Sequence, residues 1–353
     1  MKSNVLKKVS ALLLAALVCL SLCSCAGSKN AGYVVAPDGE QYAVSRGLYR
    51  MVQLTAAAAA ASEVDPNAEL SAAELMDAEY EGVPVRDWVA DRVAQALVRY
   101  MLVERLFAEQ DGSFTDVEQY YYKSVLDDTW AMYDKLYVMN DVDREGFNAY
   151  QYNMLRELQL SMLLSDAGEP LYVSDADVKA FAAEKVARAT FIAIGTAKVN
   201  GTPLTATETV AAAEFASKLC EDARSMGMDA AWEKNKLDIL KLLDADITTE
   251  ESPVSTALFT VGAGVFSDKL AADVLAMEAG DVLLLTEEDG SLFIVCREEL
   301  AADGDVEELR AQYTAVNGYD MLQEYIAAQL NGWQFVADDA AAAKLAPESL
   351  RFE

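Results

Sequence analysis

The stretch 265–300, VFSDKLAADVLAMEAGDVLLLTEEDGSLFIVCREEL, decides the architecture of the chain. Ser267 stands where a helix N-cap belongs, ahead of Leu270, Val274, Leu275 and Met277 at helical spacing. Gly280 reads as the stop of that helix, because glycine readily takes the left-handed conformation that ends one. Residues 281–286 and 291–296 read as two apolar strands around the polar turn Glu287-Glu288-Asp289-Gly290. Gly290 sits where such a hairpin needs a positive φ. Helix, turn, strand, turn and strand form the second half of a small α/β unit. Long helices are expected on both sides of it, so the sequence predicts an inserted domain.

Phe266, Leu270, Leu275, Gly280 and Leu292-Phe293-Ile294-Val295 follow one another as in a known pattern. Their order resembles the C-terminal end of a parvulin-type peptidyl-prolyl isomerase domain, F…F…AF.L..GE…PV.T..GYHII. The resemblance implies an apolar pocket for a proline ring and a polar set that includes two histidines. The first histidine position falls on Phe191, within Ala189-Thr190-Phe191-Ile192, and the second on Phe293. The candidate proline or peptide pocket is therefore Phe191, Phe266, Leu270, Leu275 and Phe293, with no catalytic residue assigned. Prolyl isomerisation must overcome an amide-resonance barrier of about 18–20 kcal/mol, so a catalyst has to favour the twisted amide over the planar one. Two phenyl rings in place of the polar set predict a domain that is catalytically degenerate. The same residues also read as plain core packing, with Phe191 and Phe293 stacked across neighbouring strands.

The chain has 353 residues, enough for two or three domains, and 53% of them are hydrophobic, enough for real cores. Net charge is −30, and loss of Lys2, Lys7 and Lys8 with a leader would make it three charges more negative. Such acidity disfavours nucleic acid as a partner, and none is expected, since phosphate binding needs basic patches. Histidine is absent, which excludes Ser-His-Asp and Cys-His catalytic units and His-ligated metals. Glu287-Glu288-Asp289 and Asp303-Gly304-Asp305 with Glu307 offer carboxylates to Ca²⁺ but no recognisable ligand loop, so they read as solvated turns. No metal and no cofactor are expected. Cys220 and Cys296 are compatible with a disulfide outside the cytoplasm and equally with two buried thiols.

Residues 1–24 read as a lipoprotein signal peptide: Lys2, Lys7 and Lys8, then an apolar run over 11–22 too short to span a bilayer. Leu22-Cys23-Ser24-Cys25 matches the bacterial lipoprotein box, which implies lipid attachment at Cys25 and a location outside the cytoplasm, held to the membrane. Residues 25–32 are a small polar tether. Residues 33–44 form a hairpin around Pro37-Asp38-Gly39-Glu40. Helices follow, opened by Ser45, by the capping boxes at Ser71 and Thr115, near Asp143 and at Ser174. Their apolar stripes predict a bundle: Tyr121, Tyr122, Val125, Tyr133, Leu136 and Tyr137 in one helix, Phe147, Tyr150, Met154, Leu158 and Met162 in the next.

Residues 188–195 read as the first strand of the insert, Thr205 as the cap of a helix reaching Gly227, and 229–235 as a short helix. Residues 239–264 yield no clear reading. A helix from Asp305, interrupted at Gly318, leads to a strand over 333–336 and a tail expected to pack weakly.

The order of elements over 33–186, including EGVPVRDWVADRVAQALVRYMLVERLFAEQ and LYVSDADVKAFAAEK, is similar to the N-terminal region of SurA/PrsA-type foldase lipoproteins. The resemblance implies an α+β fold. A helical chaperone domain, 33–186 plus 301–336, would carry an inserted parvulin-like domain, 187–300, with a tail over 337–353. It also implies unfolded or secreted polypeptides as partners. The bundle's Tyr- and Met-rich stripes fit a chaperone surface, and fit core packing as well. Three functions follow: a membrane-anchored extracytoplasmic foldase or chaperone, an active prolyl isomerase, or a solute-binding lipoprotein. The last would need two lobes of repeated βαβ units, where the sequence offers one small α/β segment.

Overall fold

The computed structural model describes residues 30–67, 69–245, 252–300 and 306–352. The signal peptide, the lipoprotein box and Cys25 lie outside them. The protein is α+β, and it divides into two compact units, Met1–Pro170 with Asp320–Glu353, and Leu171–Tyr319. Among the described residues, no helix is long and apolar enough to cross a membrane.

In the first unit, β1 (Asn30–Val35) pairs antiparallel with β2 (Gln41–Ser45) as the turn residues predict. β1 opens at Asn30, within the stretch read as tether. Its other edge takes β9 (Gln334–Ala337), with Val34 opposite Phe335. α1 (Arg46–Val64) starts at Ser45, whose hydroxyl accepts from the Leu48 amide at 3.2 Å. α2 (Ala72–Asp77) and α4 (Asp116–Met139) carry the capping boxes of Ser71 and Thr115. Between them β3 (Glu79–Tyr80) and β4 (Val83–Pro84) make a small hairpin before α3 (Val85–Glu109). α5 (Arg144–Leu163) is capped by Asp143. α1, α3 and α5 pack on one another around Leu48, Val52, Val93, Leu97, Phe147 and Leu160. α1 and α5 approach closely at Gly47 and Gly146, where a Cβ on Gly146 would collide with the Gly47 backbone.

The tail does not pack weakly. Ala341, in α11 (Asp339–Ala342), is buried, as are Leu345 and Leu350 beyond it. The Arg50 guanidinium donates to Ser349 Oγ at 2.7 Å, Gln53 donates to the Leu345 carbonyl at 3.0 Å, and Asn140 exchanges two 2.8 Å bonds with the Arg351 backbone. Buried polar groups on the helices need partners, and the tail's main chain supplies them.

The second unit centres on a four-stranded antiparallel sheet, ordered β6-β5-β8-β7. α6 (Asp175–Lys185), capped by Ser174, runs straight into β5 (Val186–Ile194). α7 (Ala206–Met226) opens on the Thr205 capping box, and α8 extends over Met228–Leu242, well beyond the short helix expected. The unread segment contains β6 (Ser255–Thr260). α9 (Asp268–Leu275) is capped by Ser267 and stops at Leu275, so Gly280 is not its stop. Gly280, at φ +91°, instead turns the chain into β7 (Val282–Thr286), its N–H bonded to the Arg297 carbonyl at 2.8 Å. The turn to β8 (Leu292–Glu298) has Gly290 at φ +89° as expected. α10 (Val306–Gln329) runs through Gly318 without a break and belongs to the second unit up to Tyr319. Side-chain alternation puts Ile192, Ile194 and Ile294 against α7 and α8, and Ala187, Ala189, Phe259 and Val295 against α9.

Candidate functional site

Two places carry the residues singled out from the sequence. The first is the α9 face of the sheet. Phe191 on β5 and Phe293 on β8 lie on the same face because Phe191 pairs with Val295 and Ala193 with Phe293, and period-two alternation does the rest. Phe266 enters from the residue before the Ser267 cap, and Leu270 and Leu275 come from α9 itself. The structure brings all five into one cluster. Its floor is buried, with Phe259 at 0% and Leu270 at 2% exposure. Phe191, Phe266, Leu275 and Phe293 are half-buried and form its rim.

The rings hold one another. Phe266 stacks on Phe259 with centroids 4.1 Å apart and planes 14° from parallel. Phe191 meets Phe259 and Phe266 edge-on at 5.5 and 5.6 Å, and lies 6.0 Å from Phe293. Edge-to-face and offset contacts at such separations are favourable quadrupole geometries. None of the five side chains carries a hydrogen-bond donor or acceptor.

The nearest polar groups are occupied with α9. Ser267 accepts from the Leu270 amide at 3.0 Å and donates to the Glu287 carboxylate at 2.7 and 2.6 Å. The Arg297 guanidinium donates to the carbonyls of Val274 at 3.1 Å and Leu275 at 3.4 Å, and burial holds its pKa below the ordinary value. A carboxylate at one helix end and a guanidinium at the other suit the helix dipole. The arrangement offers a cluster of apolar side chains for contact.

On the opposite face, a cavity of about 270 Å³ is lined by Ile192, Ile194, Trp232, Ile239, Leu240 and Leu243, with no charged side chain in its wall among the described residues. Cys220 and Cys296 belong to the core of this face as free thiols. Burial raises the pKa of both, and Cys220 Sγ donates to the Val282 carbonyl at 3.8 Å. Among the described residues, no group of His, Cys, Asp and Glu could hold a metal ion.

The second place is the helical hairpin of α4 and α5, where the structure corrects the sequence. Of the 24 residues of α4, only Leu126 and Tyr137 are buried. Trp130 and Tyr137 stack on each other and meet Phe147 edge-on and tilted, which fixes the inner face. Tyr121 (62% exposed), Val125, Met132 (71%) and Tyr133 point to solvent instead of into a bundle. On α5, Phe147 is buried as expected, but Met154, Leu158 (65%) and Met162 (65%) are not. α4 carries two apolar stripes and α5 covers one of them. The clue in the sequence was that α4 holds more apolar residues than one partner helix can cover.

No protein-family model matches this chain, and no curated protein matches it in sequence. Among solved structures it is similar to the foldase protein PrsA from Streptococcus pneumoniae str. Canada MDR_19A, at 14% identity over 71% of this chain and 87% of that one, with a TM-score of 0.35. It is similar to the foldase protein PrsA from Lactococcus lactis, at 13% identity over 91% and 99%, with a TM-score of 0.38. The third is PrsA from Bacillus subtilis, at 16% identity over 72% and 81%, with a TM-score of 0.26.

Proposed function

We propose that this chain is a membrane-anchored extracytoplasmic foldase-type chaperone that holds unfolded secreted polypeptides, and that its parvulin-like domain is catalytically degenerate. One observation carries the holding function: the α4–α5 hairpin leaves Tyr121, Val125, Met132, Met154, Leu158 and Met162 open to solvent. A large apolar side chain transferred out of water contributes about 1.5–3 kcal/mol when fully buried, and an unfolded client supplies the covering surface. Methionine suits varied clients because its unbranched, polarisable side chain adapts to irregular partners.

The degenerate reading rests on Phe191 and Phe293, which fill both histidine positions of the resembling family with rings that cannot hydrogen-bond. Without donors aimed at the twisting amide, electrostatic preorganisation is lost. The half-buried rim of the cluster supports the second reading, an active isomerase, since its apolar side chains remain within reach of a proline ring. The anchor rests on Leu22-Cys23-Ser24-Cys25, and the domain plan on an insert at 187–300 within 33–186 and 301–336.

The test is an aggregation assay and a proline-limited refolding assay on one preparation. The expected result is slowed aggregation with refolding near the uncatalysed rate. Strong acceleration of refolding by the unmodified chain would overturn the degenerate reading, and gain of activity in Phe191→His with Phe293→His would identify the pocket. Cys25→Ser should release the protein from membranes, and unchanged membrane association would remove the anchor.

A further inference from the structure

Three of the hairpin's four cations are held in ion pairs, and several of its carboxylates are not. Lys123 pairs with Asp127 at 3.0 Å, Arg144 pairs with the same carboxylate and lies over Trp130, and Arg156 pairs with Glu104 at 2.6 Å. Among the described residues, Lys135 is the one hairpin cation outside an ion pair. Asp116, Glu118, Asp128, Asp134 and Glu145 have no cationic partner there. Asp128 lies at i+7 from Tyr121, i+3 from Val125 and i−4 from Met132, so it is part of the outward apolar stripe itself. The whole chain carries 58 acidic against 28 basic residues, so the long-range field has the same sign as the local one.

Resting on the chaperone reading, we propose that this face takes cationic clients: extended unfolded segments in which apolar side chains are interspersed with Lys or Arg. Apolar contact with Tyr121, Met132, Leu158 and Met162 holds the segment. The hairpin's carboxylates without a cationic partner, Asp128 within the stripe among them, select its charge and repel acidic chains. A second copy of this protein is disfavoured as the occupant, because it would bring the same carboxylates and a net charge of −30 against its own.

The experiment uses the full chain and two fluorescein-labelled peptides of about twenty residues with identical Leu, Phe and Val positions, one carrying Lys and the other Glu at the charged positions. Anisotropy titrations run at 50 and 300 mM salt. The Lys peptide is expected to bind about ten-fold more tightly at the lower salt, with the gap shrinking at the higher one. Asp128→Lys with Asp134→Lys should narrow the gap, and Met132→Ser with Leu158→Ser should weaken both peptides alike. Equal affinities, or preference for the Glu peptide, would overturn the charge selection and leave the chaperone reading intact. Binding of neither peptide would overturn both. A dimer in sedimentation that disappears in Met132→Ser with Leu158→Ser would assign the face to a second copy and sink the proposal.

Discussion

α3 and α4 are neighbours in the chain, 25 and 24 residues long, and both are rich in large apolar side chains. α3 buries ten of its residues and α4 two. α3 is packed by α1, α5 and β9, whereas α4 packs chiefly on α5. The difference is one of coverage, not of composition. An apolar stripe records which residues share a helix face, and only the tertiary arrangement says whether anything lies on it.

The comparison breaks most directly at Leu97, which is fully buried on α3. Leu97→Ala should destabilise the first unit by about 2–5 kcal/mol in urea unfolding, because removing a core side chain leaves a cavity. A loss under about 1 kcal/mol would mean α3 is not the core helix of the first unit. The next effect is smaller and local. α4 leans on its cap, where Thr115 Oγ1 accepts from the Glu118 amide at 3.2 Å and the Glu118 carboxylate accepts from the Thr115 amide at 2.8 Å. Thr115→Ala should cost about 1 kcal/mol, read as faster hydrogen exchange across α4 with α3 amides unchanged. Equal acceleration in both helices would deny α4 its independence. Met132→Ser should change stability by no more than about 0.5 kcal/mol while reducing the slowing of aggregation. A large stability loss there would show that Met132 packs inside the protein.

The smallest effect sets the same capping box on two helices. Glu208 at α7 is held down to about 2, first by the Lys198 ammonium 2.8 Å away and then by the Thr205 amide and hydroxyl. Glu118 at α4 is also lowered, by Thr115 alone. A depressed carboxylate stabilises the fold above its unfolded pKa of about 4.3, and the contribution fades as pH falls through the folded value. Glu208→Gln should therefore lower the melting temperature at pH 7 more than Glu118→Gln. Both deficits should shrink as the pH falls below about 4.3. A Glu208→Gln deficit that stays constant down to pH 2 would separate it from this ionisation.

Much of the fold was legible because its signals are local. Ser45, Ser71, Thr115, Asp143, Ser174, Thr205 and Ser267 all cap the helices they were expected to cap, since a cap is settled within four residues. Phe191 and Phe293 could be placed on one sheet face because strand alternation fixes sides once register is known. What escaped was long-range. β6 owes its place to pairing with β5 across some seventy residues of sequence. The tail's anchors are Leu345 and Leu350, too far apart for a periodic signal, plus main-chain bonds to Arg50, Gln53 and Asn140 that no composition announces. Gly280 misled because a positive φ serves a strand entry as well as a helix stop.

The pairing of β1 with β9 joins two ends of a long stretch of sequence. Val34 and Phe335 are about three hundred residues apart, yet they are partners in one three-stranded sheet. The first unit closes only after β9, Leu345 and Leu350 have been made, some three hundred residues after β1. Closing a loop of that length carries an entropy penalty that grows slowly with length but delays the final step. Until then, β1 and the α1 surface that receives the tail stand open. A protein proposed to shelter unfinished chains thus leaves its own first sheet unfinished until β9 emerges.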